Sequence, residues 1–123
     1  MYEIMVEDNF SAAHRLKGYK GKCEELHGHN WKVQAFLKGR KLDKSGLLFD
    51  FKKLKGALKE IVQRLDHHYL NEISPFERLN PTSENLAHFI FRELKKNFTK
   101  TQFKVSKVTV WEGNSASASY TEI

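Results

Sequence analysis

The alternation of apolar and polar positions predicts two pairs of β-strands. In Trp31–Gly39, apolar side chains at 31, 33, 35 and 37 alternate with polar ones at 32, 34 and 38, which is typical of a strand with one buried face. Residues 2–10 alternate more weakly and are predicted to be its partner. Residues 104–112 are rich in β-branched side chains and predict a third strand, with residues 117–121 as its hairpin partner.

Two helices are predicted between the strand pairs. Apolar residues recur at intervals of three and four over residues 51–65, which is helical spacing. A second helix is predicted to begin with Thr82 as its N-cap and Glu84 near the positive end of the dipole, and to end near Phe98. The order ββααββ predicts an α+β domain over residues 1–123, with two helices on one face of an antiparallel sheet.

Glycines mark the predicted connections. Gly18, Gly21 and Gly28 predict a loop between the first two strands, and Asp43-Lys44-Ser45-Gly46 predicts a turn before the first helix. The chain of 123 residues has no internal repeat or low-complexity tract, which agrees with one domain.

Charge and cysteine content narrow the function only slightly. The net charge of +6 fits nucleic acid, a phosphorylated small molecule or a solvated basic surface, but the lysines follow no nucleic-acid-binding motif, so no nucleic acid is expected. A single cysteine, Cys23, excludes an intrachain disulfide, and the N-terminal residues contain no signal peptide or membrane span. We therefore expect a cytoplasmic protein without a membrane partner. A chain this small builds a polar pocket more easily between subunits, which favours an oligomer.

Three histidines form a candidate metal site. His27 and His29 are two residues apart, so in an extended segment both imidazoles project to the same side. His14, in the first half of the predicted hairpin, is the third candidate, and three histidines with an open position are typical of catalytic zinc. Taken alone, a His-x-His pair is more often unrelated to metal, and His14 beside Ala12 and Ala13 also fits a histidine packed near the core.

Four further residues carry candidate chemistry. Cys23 lies in a polar segment, where a thiolate acts as base or nucleophile, although free cysteines are more often buried. Asp66 precedes His67 at the end of the first helix, where it can fix the imidazole tautomer for proton transfer; a cationic helix terminus is the ordinary alternative. Glu112 ends an apolar strand, where a carboxylate can accept two parallel N–H bonds from a flat heterocycle or simply lie in solvent.

Several separated motifs together resemble the 6-pyruvoyl-tetrahydropterin synthase family. The resemblance rests on the order and spacing of five segments, which together span most of the chain: FSAAHRL at 10–16, Cys23 with LHGHN at 26–30, LDH at 65–67, Leu70-Asn71, and PTSENLA at 81–87.

This resemblance implies a tunnelling fold, in which a four-stranded sheet with two helices assembles into a barrel-like trimer and two trimers form a hexamer. It also implies site roles: zinc ligands His14, His27 and His29, a catalytic base Cys23 with its partners Asp66 and His67, and a pterin anchor Glu112. In relatives, the cysteine and the Asp–His pair meet across a subunit interface.

The spacing of Cys23 from the histidine pair resembles the 6-carboxy-tetrahydropterin synthases of queuosine and other deazapurine pathways. The implied reaction converts dihydroneopterin triphosphate to 6-carboxy-tetrahydropterin, with release of triphosphate and acetaldehyde. Two other products stay open: a pyruvoyl pterin, and a hydroxymethyl pterin for folate, since some relatives use a glutamate near the position of Glu24 and Glu25. Gly113 departs from the family, which usually has threonine there. A metal-binding scaffold and a small basic RNA-binding domain are the alternatives from other classes.

Overall fold

The computed structural model describes residues 1–18 and 25–122, in which two helices lie against one face of a four-stranded sheet. The elements are β1 (Tyr2–His14), β2 (His27–Gly39), α1 (Phe51–Gln63), α2 (Ser83–Lys95), β3 (Lys104–Trp111) and β4 (Ser117–Thr121). The strands lie in the order β1-β2-β3-β4, and each pairs with its neighbour in antiparallel orientation. The predicted order ββααββ is confirmed.

Side-chain caps fix where both helices begin. Asp50 accepts the backbone N–H of Lys52 (2.8 Å) at the start of α1, and Thr82 accepts that of Asn85 (3.1 Å) at the start of α2, so the predicted N-cap is confirmed. Helix α1 ends two residues earlier than predicted, in turns that carry the chain to Leu65. No helix among residues 1–18 and 25–122 is long and apolar enough to cross a membrane.

The core lies between the helices and one face of the sheet. The apolar positions of β2 predicted to face inward are all fully buried: Trp31, Val33, Ala35 and Leu37. The helices contribute Leu54, Leu58, Ile61 and Val62 from α1, and Leu86, Ala87, Ile90, Phe91 and Leu94 from α2. Within residues 1–18 and 25–122, no helix covers the other face of the sheet. It carries aromatic side chains covered by lysines, with Lys107 over Phe36 (4.2 Å to the ring centroid) and Lys32 over Trp111 (4.7 Å).

The first two strands are longer than predicted. Strand β1 continues to His14 and β2 begins at His27, and the pairing is continuous along both. The prediction that Gly28 lies in the connecting loop is wrong, because Gly28 pairs with Ala13 inside the ladder. Glycine has a weak strand preference and no side chain that could indicate a strand face, so the sequence did not predict this pairing. Here the backbone pairing with β1 outweighs that weak preference. Gly18 does lie in a turn with positive φ, and Gly21 lies outside the described residues.

Two glycines give opposite predictions for stability. A Cβ at Gly39 would lie 2.6 Å from Cδ1 of the buried Leu48 and 3.2 Å from Cδ1 of Phe103, whereas a Cβ at Gly56, inside α1, would meet nothing within 4 Å. Gly39→Ala should therefore lower the free energy of unfolding by about 1–2 kcal/mol through overpacking, and Gly56→Ala should raise it by about 0.5–1 kcal/mol. Urea denaturation measures both. Equal stability of the two variants would contradict the packing described around Gly39.

Candidate metal centre

The register of β1 and β2 brings the three predicted histidines together. His14 lies directly opposite His27, and Ala12 lies opposite His29. His27 and His29 point to the same face because they are two residues apart on one strand, and the small side chain of Ala12 leaves space beside them. The imidazole centroids are 4.6 Å (14–27), 5.1 Å (14–29) and 4.7 Å (27–29) apart.

Glu112 completes the cluster from the neighbouring strand. It directly follows β3, in which Val108 and Val110 are buried, so the alternation places position 112 on the face of the histidines. One ligand atom from each histidine and one carboxylate oxygen all lie within 4.8 Å of one another. Three imidazole nitrogens suit zinc and other divalent first-row metals and leave a fourth position open, and the Glu112 carboxylate lies beside them.

Backbone carbonyls fix the tautomers of two histidines. Nδ1–H of His14 donates to the carbonyl of Pro81 (2.8 Å), and Nδ1–H of His27 donates to that of Glu25 (2.7 Å). A carbonyl only accepts, so in each neutral ring Nε2 carries the lone pair. These two Nε2 atoms are 3.0 Å apart. Two lone pairs at that distance repel each other unless a proton or a cation lies between them.

His29, the third histidine, also needs a proton or a cation next to its Nε2 atom. Nε2 of His29 is buried and has no hydrogen bond; Oε1 of Glu112 lies 3.1 Å away but outside hydrogen-bonding geometry. A buried polar atom without a partner is costly. A divalent cation among the three Nε2 atoms satisfies all of them at once, so these residues fit a metal.

Trp31 closes the core side of the cluster. It is fully buried, and its indole N–H donates to the carbonyl of Ala12 (3.2 Å). Its ring meets His14 and His29 edge-on, with centroids at 4.9 and 5.2 Å, and stacks on Phe10 at 5.9 Å. The sequence predicted Trp31 only as a core residue. Its position two residues after His29, on the same face, was the available signal for contact with the site.

Burial favours the neutral form of His14 and His29. It lowers the pKa of His14 below its ordinary value; the Pro81 carbonyl opposes this, and the nearby imidazoles lower it further. Burial also lowers the pKa of His29, with the Glu112 carboxylate opposing. Neutral imidazole is the form that binds metal, so the environment favours the binding form at neutral pH.

Asp66 and His67 form a hydrogen-bonded pair at the outer edge of β1. Nδ1–H of His67 donates to Oδ2 of Asp66 (3.0 Å), and the backbone N–H of Ser11 donates to Oδ1 (2.9 Å). The Ser11 N–H and then His67 hold the pKa of Asp66 below its usual range. His67 has φ 59°, a strained conformation for a non-glycine residue, and its N–H donates to the carbonyl of Ser11 (2.6 Å). Its side chain is 82% exposed, so Nε2 is accessible.

An open depression of about 440 Å³ lies beside this pair, lined by Ser11, Ala12, Ala13, Gly28, His29, Asn30, His67, His68 and Tyr69. Ser11 and Asn30, joined by a hydrogen bond of 2.7 Å, lie at strand positions that point away from the histidines' face. Within the described residues, no hydrogen bond or ring contact joins His67 to the histidine cluster. One chain therefore brings together His14, His27, His29 and Glu112, and separately Asp66 and His67.

Cys23, predicted to be the catalytic base, lies outside the described residues, as does Glu24. Glu25 is described: it is exposed, and its backbone carbonyl holds His27.

Comparisons with known proteins agree on one family. The model of the 6-pyruvoyl tetrahydropterin synthase family matches residues 3–123. The chain is 37% identical to the dihydroneopterin monophosphate aldolase of Pyrococcus furiosus, over 90% of each chain, and 43% identical to a putative 6-carboxy-5,6,7,8-tetrahydropterin synthase of Archaeoglobus fulgidus, over 74% of each. The structure of Caenorhabditis elegans 6-pyruvoyl tetrahydropterin synthase superposes with a TM-score of 0.88 at 30% identity, covering 99% of this chain and 96% of that one.

The lowered histidine pKa values predict a pH-dependent stability of the metal-free protein. Between about pH 7 and 5 the unfolded chain, whose histidines titrate near 6.5, binds more protons than the folded chain. Stability is therefore complete above the unfolded pKa and falls as the pH drops through and below it. Urea midpoints of chelator-treated protein across this range measure the effect.

His14→Gln removes the most buried of these groups and should flatten the dependence, whereas His88→Gln, outside the cluster, should leave it unchanged. Midpoints that rise as the pH falls would contradict the assignment of neutral histidines.

Proposed function

Because the chain belongs to the 6-pyruvoyl tetrahydropterin synthase family, we propose that it is a zinc-dependent lyase of the 6-carboxy-tetrahydropterin type. The reaction converts 7,8-dihydroneopterin triphosphate and water to 6-carboxy-5,6,7,8-tetrahydropterin, acetaldehyde and triphosphate, in the cytoplasm. The observation that carries the proposal is the cluster of three histidines, each with a ring nitrogen within 4.8 Å of the others, in a chain similar to a putative 6-carboxy-tetrahydropterin synthase.

His14, His27 and His29 are the proposed zinc ligands. Bound there, zinc supplies a Lewis acid that lowers the barrier to proton removal from hydroxyl-bearing carbons of the substrate side chain. Glu112 is the proposed pterin anchor. Its side chain is 36% exposed, so its carboxylate can accept two parallel N–H bonds from the amino-imino edge of the ring. That contact holds the substrate side chain next to the histidines, which is a proximity effect.

Cys23, Asp66 and His67 are the proposed acid–base groups. Asp66 holds Nδ1–H of His67, so Nε2 is the atom that takes up or releases a proton. Cys23 acts as the base that removes protons from the substrate side chain. The pair at the edge of β1 and the cysteine, which precedes His27 by four residues in the sequence, then act on the same substrate.

A second candidate is cleavage of the side chain to 6-hydroxymethyl-dihydropterin. The chain is 37% identical over 90% of its length to an archaeal dihydroneopterin monophosphate aldolase, and Glu24 and Glu25 follow Cys23 directly. A carboxylate beside the thiol offers a second base for breaking the carbon–carbon bond. Formation of a pyruvoyl pterin, as in the C. elegans relative, needs the same residues and is the third product.

Product analysis distinguishes these candidates. Zinc-loaded protein incubated with dihydroneopterin triphosphate should yield 6-carboxy-tetrahydropterin, identified by mass, with acetaldehyde in equal amount. Dihydroneopterin monophosphate is tested in parallel as a second substrate. A hydroxymethyl product from either substrate supports the second candidate, and no conversion of either contradicts the enzyme proposal for these substrates.

Three variants belong to the same experiment. The double variant His27→Ala, His29→Ala should lose both zinc and turnover, and Cys23→Ala should keep zinc but lose at least about 100-fold in turnover, since it removes a general base. His88→Ala, a histidine outside the cluster, should behave as wild type. Zinc retained by the double variant would contradict the metal assignment.

We also propose that the chain forms a hexamer, as a dimer of trimers, in which Asp66 and His67 serve the metal centre of a neighbouring copy. The pair is attached to the outer edge of β1, and within the described residues no hydrogen bond or ring contact joins it to the histidine cluster of its own chain. Among the residues that the structure describes, the sheet has one face without a helix and, at β4, an outer edge without a partner strand. Both features suit association through the sheet.

Complementation between inactive chains tests the shared site. Co-expression of the double variant His27→Ala, His29→Ala with His67→Ala, and isolation of mixed oligomers by two tags, should restore about a quarter of wild-type turnover, because one site in four then combines intact histidines with an intact pair. Each variant alone should be inactive. Mixed oligomers without turnover would contradict a site shared between copies, and sedimentation equilibrium measures the assembly directly.

A further inference from the structure

Next to the metal centre, two asparagine side chains bind the backbone of the segment that follows β1, as a neighbouring strand would. Residues 15–17 follow β1, beyond the end of its pairing with β2. Asn71 accepts the backbone N–H of Arg15 (2.9 Å) and donates its amide to the Arg15 carbonyl (3.0 Å). Asn80 does the same for Lys17, at 2.9 Å in both directions. These bonds satisfy four backbone groups that the sheet leaves unpaired.

Asn80 is also held from its other side. Its backbone carbonyl accepts the side-chain amide of Asn85 (2.8 Å) and the backbone N–H of Thr82 (2.8 Å). Asn80 is therefore clamped between the segment that follows β1 and the first turn of α2. The next residue is Pro81, whose carbonyl accepts Nδ1–H of His14.

We propose that Asn80 is a positioning residue for the metal centre. It fixes the Pro81 carbonyl relative to His14, because its side chain is bound to Lys17, three residues after that histidine. The carbonyl in turn keeps the proton of His14 on Nδ1 and directs Nε2 at the other imidazoles. The inference rests on the metal binding proposed above and adds to it an outer residue that no ligand pattern in the sequence identifies.

Loss of the Asn80 contacts should weaken metal binding more than it disturbs the fold. Without the clamp, the Pro81 carbonyl can move and His14 can adopt the other tautomer, in which Nε2 is protonated and cannot bind metal. Partners of metal-bound histidines typically change metal affinity by about 10–100-fold. Asn80 is only partly buried, so its replacement disturbs the core less than replacement of Asn71, which is 7% exposed.

Cobalt binding tests the proposal. Metal-free wild type and Asn80→Ala are titrated with Co²⁺ alone, and the visible absorption of the bound ion reports both affinity and coordination geometry. Asn80→Ala should bind Co²⁺ about tenfold more weakly or worse, with an altered spectrum. The milder variant Asn80→Asp keeps the acceptor for the Lys17 N–H and loses the donor, so it should show a smaller change in the same direction, which keeps the test available if Asn80→Ala does not fold.

Asp50→Ala is the matched control. It removes the N-cap of α1 and lowers stability away from the histidines, so its Co²⁺ affinity and spectrum should equal those of wild type. Wild-type affinity and spectrum in both Asn80 variants would overturn the proposal, as would an equal loss of affinity in Asp50→Ala. Absence of Co²⁺ binding by wild type would overturn the metal centre itself, and with it the role of Asn80.

Discussion

The register between β1 and β2 is the constraint on which the candidate site depends. It places His14 opposite His27 and Ala12 opposite His29 at one end of a ladder that runs the 13 residues of β1. A slip of one residue would turn every side chain of β1 to the other face. The buried positions earlier in the strand, Val6 and Phe10, therefore help to hold the register that places His14. Core packing and ligand geometry are set by the same pairing.

The histidine cluster is unfavourable without a cation. Burial lowers the pKa of His14 and His29, which disfavours the extra proton that would let two facing imidazole nitrogens share a hydrogen bond. The carbonyls of Pro81 and Glu25 then fix lone pairs on Nε2 of His14 and His27, 3.0 Å apart. Each contact alone is ordinary, and together they create a site that is stabilised by binding a divalent ion. In the folded, metal-free protein, this unfavourable contact between lone pairs remains at one end of the sheet.

The sequence predicts the elements that show a hydrophobic periodicity and the metal ligands that lie at a characteristic spacing. The buried alternation of β2, the N-cap at Thr82 and the histidine pair all depend on local order, so the chain predicts them directly. The extension of β1 to His14 was missed because Gly28 gave a false loop signal. Trp31 and Asn80 were not identified as parts of the site. Their roles depend on contacts with β1, over 19 residues for Trp31 and 63 for Asn80, and no local pattern encodes such contacts.

The proposed metal ligands and the proposed acid–base pair are held by different parts of the structure. The histidines depend on side chains that face the helices, whereas Asp66 and His67 depend on the backbone of Ser11 at the sheet edge. These bonds to β1 hold His67 in its strained φ. The same strand thus fixes the metal ligands through one of its faces and the acid–base pair through its edge.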